Sequence, residues 1–275
     1  MSEIENSVVT KKYLDVIETY RPMDDVFMRN IFRESPELVE MVLRIIIDKP
    51  DLQVIRSETQ ADLIRITGSR GLCLDVYATD DAGKKYDVEV QKESSDMKSE
   101  RARYHASAMD VENSWHGMTF DQLPDTYVIF ISEKDYFGRK QPVYAIRRTV
   151  DDDNSLFNDG SNILYVNGEY RDDTMIGKLM HDFNCCNPKD MLIPELSKRT
   201  EYLKTNKKEV EHMCKQLKEM EERGISIGIE KGKILTLIQL VIEKDLSLEK
   251  AVAKSGLSFE EFLKAKAEYE TNYRS

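Results

Sequence analysis

The sequence predicts a mixed α/β domain of α+β character followed by an all-helical extension. Three observations carry that expectation. An apolar stripe at helical spacing over residues 36–47 gives way to short, β-branched runs after residue 62. Two such runs, 72–79 and 85–92, flank Asp80-Asp81-Ala82-Gly83, a tight-turn signal, and read as a hairpin. Beyond about residue 172 the pattern turns helical and stays so.

The elements follow in order. Residues 1–20 form a polar leader with a short helix. The segment DDVFMRNIF (24–32) spaces Val26, Phe27, Ile31 and Phe32 for an amphipathic helix. Ser35-Pro36-Glu37 opens the next one: Ser at the cap, Pro at the first helical position, Glu in the first turn. Asp48-Lys49-Pro50 stops it. Leu63, Ile64 and Ile66 suggest a short strand, followed by Gly68-Ser69-Arg70-Gly71. The hairpin comes next, then a helix over 97–112. DTYVIFIS (125–132) is a continuous apolar run, as in a strand buried on both faces. Two further strands are expected at 143–150 and 162–166. Residues 198–222, dense in both charges, read as a solvated helix or connector. Two short helices are expected over 245–270, with Ser247 and Ser258 as caps and Gly256 as the break.

Composition narrows the function. The chain has 275 residues, with 40 Lys and Arg against 51 Asp and Glu, a net charge of −11. No apolar run reaches the ~20 residues of a membrane span. The acidic first ten residues do not read as a secretory signal, and four cysteines make no disulfide framework. A cytoplasmic, reduced protein is expected. The acidic balance argues against tight, sequence-blind DNA binding through long-range attraction. There is no phosphate-binding loop, no dinucleotide motif and no Gly-x-Ser-x-Gly elbow. His181 with Cys185 and Cys186 lacks the second pair of a soft-metal site.

The hairpin carries the chemistry. In strand 85–92, residues 87, 89 and 91 point to one face, while Val88 and Val90 point to the other. Cys73, Asp75 and Tyr77 share a face of the first strand. A turn centred near residue 82 makes Asp75 and Glu89 cross-strand neighbours. Two carboxylates on one face form an oxygen-rich site suited to Mg²⁺ or Mn²⁺. Gln91 would orient water or contact phosphate. On the helix 97–112, Lys98, Arg101 and Tyr104/His105 share a face suited to the phosphate backbone.

The stretch LDVYATDDAGKKYDVEVQKE resembles the core of the PD-(D/E)XK nuclease superfamily. It is most similar to the branch of Rpn-family recombination-promoting nucleases and transposases. The resemblance extends through DDVFMRNIF, SERARYHASAMD, PDTYVIFISEKDYFGRKQPVYAIRR and NILYVNG, over roughly residues 20–205. It implies a restriction-endonuclease-like core with a central mixed four-stranded sheet flanked by helices. It implies a metal-dependent DNA endonuclease that hydrolyses phosphodiester bonds, with Mg²⁺ or Mn²⁺ as cofactor and DNA as partner. By the family motif, Asp75 and Glu89 are the catalytic acids and metal ligands, the Val90 carbonyl assists, and Gln91 stands where the motif has Lys. Asp24 is the candidate further ligand, ahead of Asp25, Glu37 and Glu40. Arg101, Lys98 and Tyr104 are the expected phosphate contacts. Gln can only hydrogen-bond where Lys carries charge, so a catalytically weak DNA-binding or interaction protein is the alternative. The expected division is a nuclease-like domain over 1–205 and a helical extension over 206–275. Gly224, Gly228 and Gly232 mark close helix packing, with a homo-oligomer through these helices as the expected assembly.

Overall fold

The computed structural model describes residues 3–63, 72–92 and 97–273. It opens with α1 (Glu3–Thr19), α2 (Asp25–Phe32) and α3 (Pro36–Ile47). Three strands follow: β1 (Val54–Leu63), β2 (Leu72–Asp80) and β3 (Lys85–Gln91). Then come α4 (Ser99–Glu112), β4 (Thr126–Ser132), β5 (Val143–Ile146) and β6 (Ser161–Asn167). The rest is helical: α5 (Met175–Phe183), α6 (Pro194–Thr205), α7 (Lys207–Ile242), α8 (Leu248–Ser255) and α9 (Phe259–Tyr273).

Among the described residues the strands form one six-stranded mixed sheet, ordered β1-β2-β3-β4-β6-β5. β1, β2 and β3 pair antiparallel, β3-β4-β6 run parallel, and β5 closes the far edge antiparallel. The expected four strands are its first four, and β6 and β5 extend them.

The first strand departs from the sequence reading. The apolar residues at 63–66 suggested it, yet β1 runs from Val54 to Leu63. Residues 64–71, with the Gly68-Gly71 turn, lie outside the described residues. β1 is an edge strand with mostly half-buried or exposed residues, so its sequence VIRSETQADL lacks an apolar run. Its alternation is also interrupted, by a register shift between Val54 and Arg56 and by Gln60 at φ 58°.

The hairpin register is locked at its turn. The backbone N–H of Lys84 and the hydroxyl of Tyr86 both donate to the Asp80 carboxylate, at 2.8 and 2.7 Å. Gly83 takes φ +81°, a left-handed conformation that glycine adopts without steric cost. Val76 then pairs with Val88 and Tyr77 with Asp87. A one-residue slip would send Asp75 and Glu89 to opposite faces.

β3 lies inside the sheet and is buried on both sides. Val88 and Val90 fill one side. α4 covers the other, where Met97, Ala102, Ala106 and Met109 pack with Val128, Phe130 and Tyr165. Small alanines on α4 let the helix lie close to the sheet. α2 touches β1, β2 and β3, and α3 packs on β1. Arg199 of α6 ties α2 down by donating to the carbonyls of Asn30 and Arg33, each at 2.8 Å.

The helix signals hold with one exception. Ser35 sits at the cap of α3, but its hydroxyl makes no cap bond and Pro36 alone shapes that start. Asp48 ends the helix at φ 57°. Ser247 caps α8, Gly256 breaks the chain at φ 83°, and Ser258 and Glu261 exchange the reciprocal bonds of a capping box. The chain divides into two compact units, Met1–Cys214 and Lys215–Ser275. Met213 is buried and Glu209 pairs with Arg33, which joins the first turns of α7 to the first unit. In the second unit, Leu237, Ile238, Ala251 and Phe262 form a separate small core. No helix among the described residues is long and apolar enough to cross a membrane.

Candidate active site

The hairpin register brings Asp75 and Glu89 together. The backbone N–H of Asp75 donates to Glu89 Oε1 at 3.0 Å. The Asp75 carboxylate accepts from the Val90 backbone N–H and lies 3.4 Å from the Gln60 amide. Both acids are buried, Asp75 at 8% exposure and Glu89 at 1%. Gln91, on the same face of β3, approaches Glu89 Oε2 at 3.4 Å.

Arginines flank the two acids. Arg101, near the start of α4, donates to Glu89 Oε2 at 2.8 Å. Arg29 of α2 bonds Asp25 at 2.7 Å and reaches Asp75 at 3.7 Å. Arg101 also lies over the Phe130 ring at 5.9 Å, a cation–π contact that fixes its direction.

A second buried group adjoins this pair. Asp87, two residues before Glu89, is fully buried and bonds His105 Nδ1 at 2.7 Å through Oδ2. Its other oxygen has no hydrogen-bond partner. Asp87, Glu89 and His105 together offer ligand atoms within 4.8 Å of one another.

The electrostatics follow from crowding acids in a dry place. Burial pushes Asp75 up to about 7, and the negative charges of Glu89 and Asp25 add to it. Arg29 and the Val90 N–H oppose the rise. Burial likewise raises Glu89 to about 7, with Asp87 adding and His105, the Asp75 N–H and Arg101 opposing. Burial drives Asp87 well above the usual carboxylate range and lowers His105 below its ordinary value. The raised acids are a store of buried negative charge, and their hard oxygen donors fit a divalent cation. Perturbed carboxylates clustered in this way mark a functional-site candidate.

Several expected residues sit elsewhere or do something different. Asp24 is occupied by other partners: it accepts the Arg21 backbone N–H at 2.7 Å and pairs with Arg21 and Lys92. The α2 acid whose charge reaches Asp75 is Asp25. Glu40 is spent on Arg44 and on the Val54 N–H. Lys98 lies at the cap of α4 with its side chain exposed, one position before the helix proper. Tyr104 is half-buried. His105 does not join a phosphate-facing surface, because its ring is buried under α4 against Phe130, 5.7 Å away. Asp87 and Arg29 were not singled out from sequence. The Asp87-x-Glu89-x-Gln91 alternation was the available signal for Asp87.

The chain matches the family described as PD-(D/E)XK nuclease family transposase across residues 37–226. The chain belongs to that family. The match includes the hairpin, α4 and the strands around them, and begins after α2. The comparisons with curated proteins and with solved structures give no match. Membership supports a nuclease or transposase type of function with a nucleic-acid substrate, carried on a restriction-endonuclease-like fold with a helical C-terminal region.

Proposed function

We propose that this PD-(D/E)XK family protein is a metal-dependent DNA endonuclease that hydrolyses phosphodiester bonds, acting in transposition or recombination as Rpn-type proteins do. One observation carries the reading: Asp75 and Glu89 converge, buried, beside Arg101 within the family's matched segment. Asp75 and Glu89 would hold a Mg²⁺ or Mn²⁺ ion, helped by the Val90 carbonyl. On α2, Asp25 is better placed than Asp24 to contribute further charge. When bound, such an ion lowers the pKa of water and offsets phosphate charge. The chain's own groups do the rest. Gln91 hydrogen-bonds and orients the attacking water. Arg101 neutralises a phosphate oxygen, and Lys98 and Tyr104 hold the backbone on either side. The same reading places the protein in the cytoplasm.

The direct test is plasmid nicking by the full chain with Mg²⁺, Mn²⁺ or EDTA. Cleavage in both metals and none in EDTA is expected. Equal outcomes in all three would sink the reading.

The catalytically weak alternative has one observation in its favour. Both Glu89 oxygens already have partners: the Asp75 N–H on one, Arg101 and Gln91 on the other. Gln91→Lys separates the readings. A cation there would stabilise charge that Gln cannot, so the variant should nick faster at limiting Mn²⁺. No gain, together with no binding heat when the unchanged chain is titrated with Mn²⁺, favours the weak protein.

The helical extension is proposed to join two copies of the chain. Ile225, Ile227 and Ile229 of α7 are 58%, 46% and 69% exposed, and Gly224, Gly228 and Gly232 have open space where a Cβ would lie. Small residues at that spacing allow close helix approach. Sedimentation of the full chain should give a dimer, and Ile225→Asp with Ile229→Asp should give a monomer. A monomer in both cases removes the extension from any assembly role.

A further inference from the structure

A run of hydrogen bonds lies behind the two acids. His105 Nδ1 meets Asp87 Oδ2 at 2.7 Å. Arg101 Nε donates to His105 Nε2 at 3.3 Å, and the Arg101 tip donates to Glu89 Oε2 at 2.8 Å.

Donor chemistry orders this run. A guanidinium N–H only donates, so His105 Nε2 must be bare and accept. The ring's single N–H then sits on Nδ1 and faces Asp87. Both imidazole nitrogens are used in this way, which leaves no lone pair for a metal ion even though His105 lies within reach of Asp87 and Glu89. The imidazole is 1% exposed, and the Phe130 ring lies beside both it and the guanidinium. The Arg101 side chain is 35% exposed, so it runs from this buried anchor towards solvent.

We propose that His105, held in one tautomer by Asp87, is a positioning residue that aims Arg101 at Glu89 and at the phosphate bound beside it. This rests on the nuclease reading given above. A long arginine side chain has much rotamer freedom to lose, and an anchor at Nε removes that freedom before substrate arrives. The anchor touches neither substrate nor ion, and acts through Arg101 alone.

Two independent measurements test the proposal. The first is ¹⁵N–¹H correlation of the imidazole nitrogens in the metal-free full-length chain, assigned with His105→Gln. A proton on Nδ1 and a bare Nε2 are expected, whatever the nuclease activity. The second is Mn²⁺-dependent nicking kinetics. His105→Ala should lower kcat by about 10- to 100-fold, the usual range for a residue that orients an active group. The Mn²⁺ midpoint should stay in place. His105→Gln, whose amide oxygen can accept from Arg101, should recover most of the loss. In an Arg101→Ala background, His105→Ala should cost nothing further. A proton on Nε2, or losses that simply add, overturns the proposal. A His105→Ala midpoint shifted to much higher Mn²⁺ makes His105 a ligand instead, and overturns it too. If the unchanged chain nicks no DNA, the nuclease reading falls, while the tautomer is still decided by the first measurement.

Discussion

Asp75→Ala and Glu89→Ala should each reduce Mn²⁺-dependent nicking on the order of a thousandfold, the upper range for removing one preorganised electrostatic group. The two losses should not add, because each acid is useful only with the other in place. Measured single-turnover, the defect should appear in the chemical step. The amide variants carry a less obvious expectation. Asp75→Asn and Glu89→Gln should be equally inactive and yet more stable than the unchanged chain in EDTA at pH 8. Each acid is raised to about 7 chiefly by burial. At pH 8 both are largely ionised, and the fold bears two adjacent charges in a dry site. An amide keeps the shape and removes one charge. Thermal unfolding should therefore shift up by several degrees, at roughly 2–4 °C per kcal/mol for a domain of this size. Inactive variants with unchanged or lower melting temperatures would contradict the charge-strain account. Active variants would contradict the site itself.

That strain explains what the sequence could and could not reveal. The Asp75–Glu89 pairing was readable because strand alternation and a tight turn are local rules, and a turn centred near residue 82 implies the observed Val76–Val88 register. α3, α4, β2, β3 and β4 were readable for the same reason. β1 was not, since an edge strand with an irregular register shows no period to count. The site's second layer was hidden differently. Asp87 and His105 are buried because α4 lies over β3, and no local pattern states which helix covers which strand. A histidine on a helix bearing arginines read as part of a basic face, whereas packing turned it inward. Asp24 and Asp25 are adjacent acids, and only the placement of Lys92 and Arg29 separates their roles.

The metal-free protein should lose stability as pH rises from about 4 to 7, and a divalent cation should suppress that loss. The sign follows from proton linkage. Asp75 and Glu89 have ordinary values of 3.8 and 4.5 and are raised to about 7 in the fold. The folded state therefore binds more protons than the unfolded chain across this window. Their contribution is fully present below about 4 and is lost as pH climbs through 7. This is the reverse of a salt-bridged acid, whose contribution disappears on acidification. A bound cation needs the deprotonated carboxylates, so its binding should release protons and tighten with pH over the same window. At 100 times its dissociation constant it should add about 2.7 kcal/mol to the folded state. Melting curves from pH 5 to 8, in EDTA and in Mn²⁺, give the slopes directly. The Asp75→Asn/Glu89→Gln double variant isolates the two acids from every other titrating group. Its EDTA profile should be flatter than that of the unchanged chain, and Mn²⁺ should leave it unmoved. Parallel EDTA profiles for the two proteins would mean that the paired acids are not where the charge is stored.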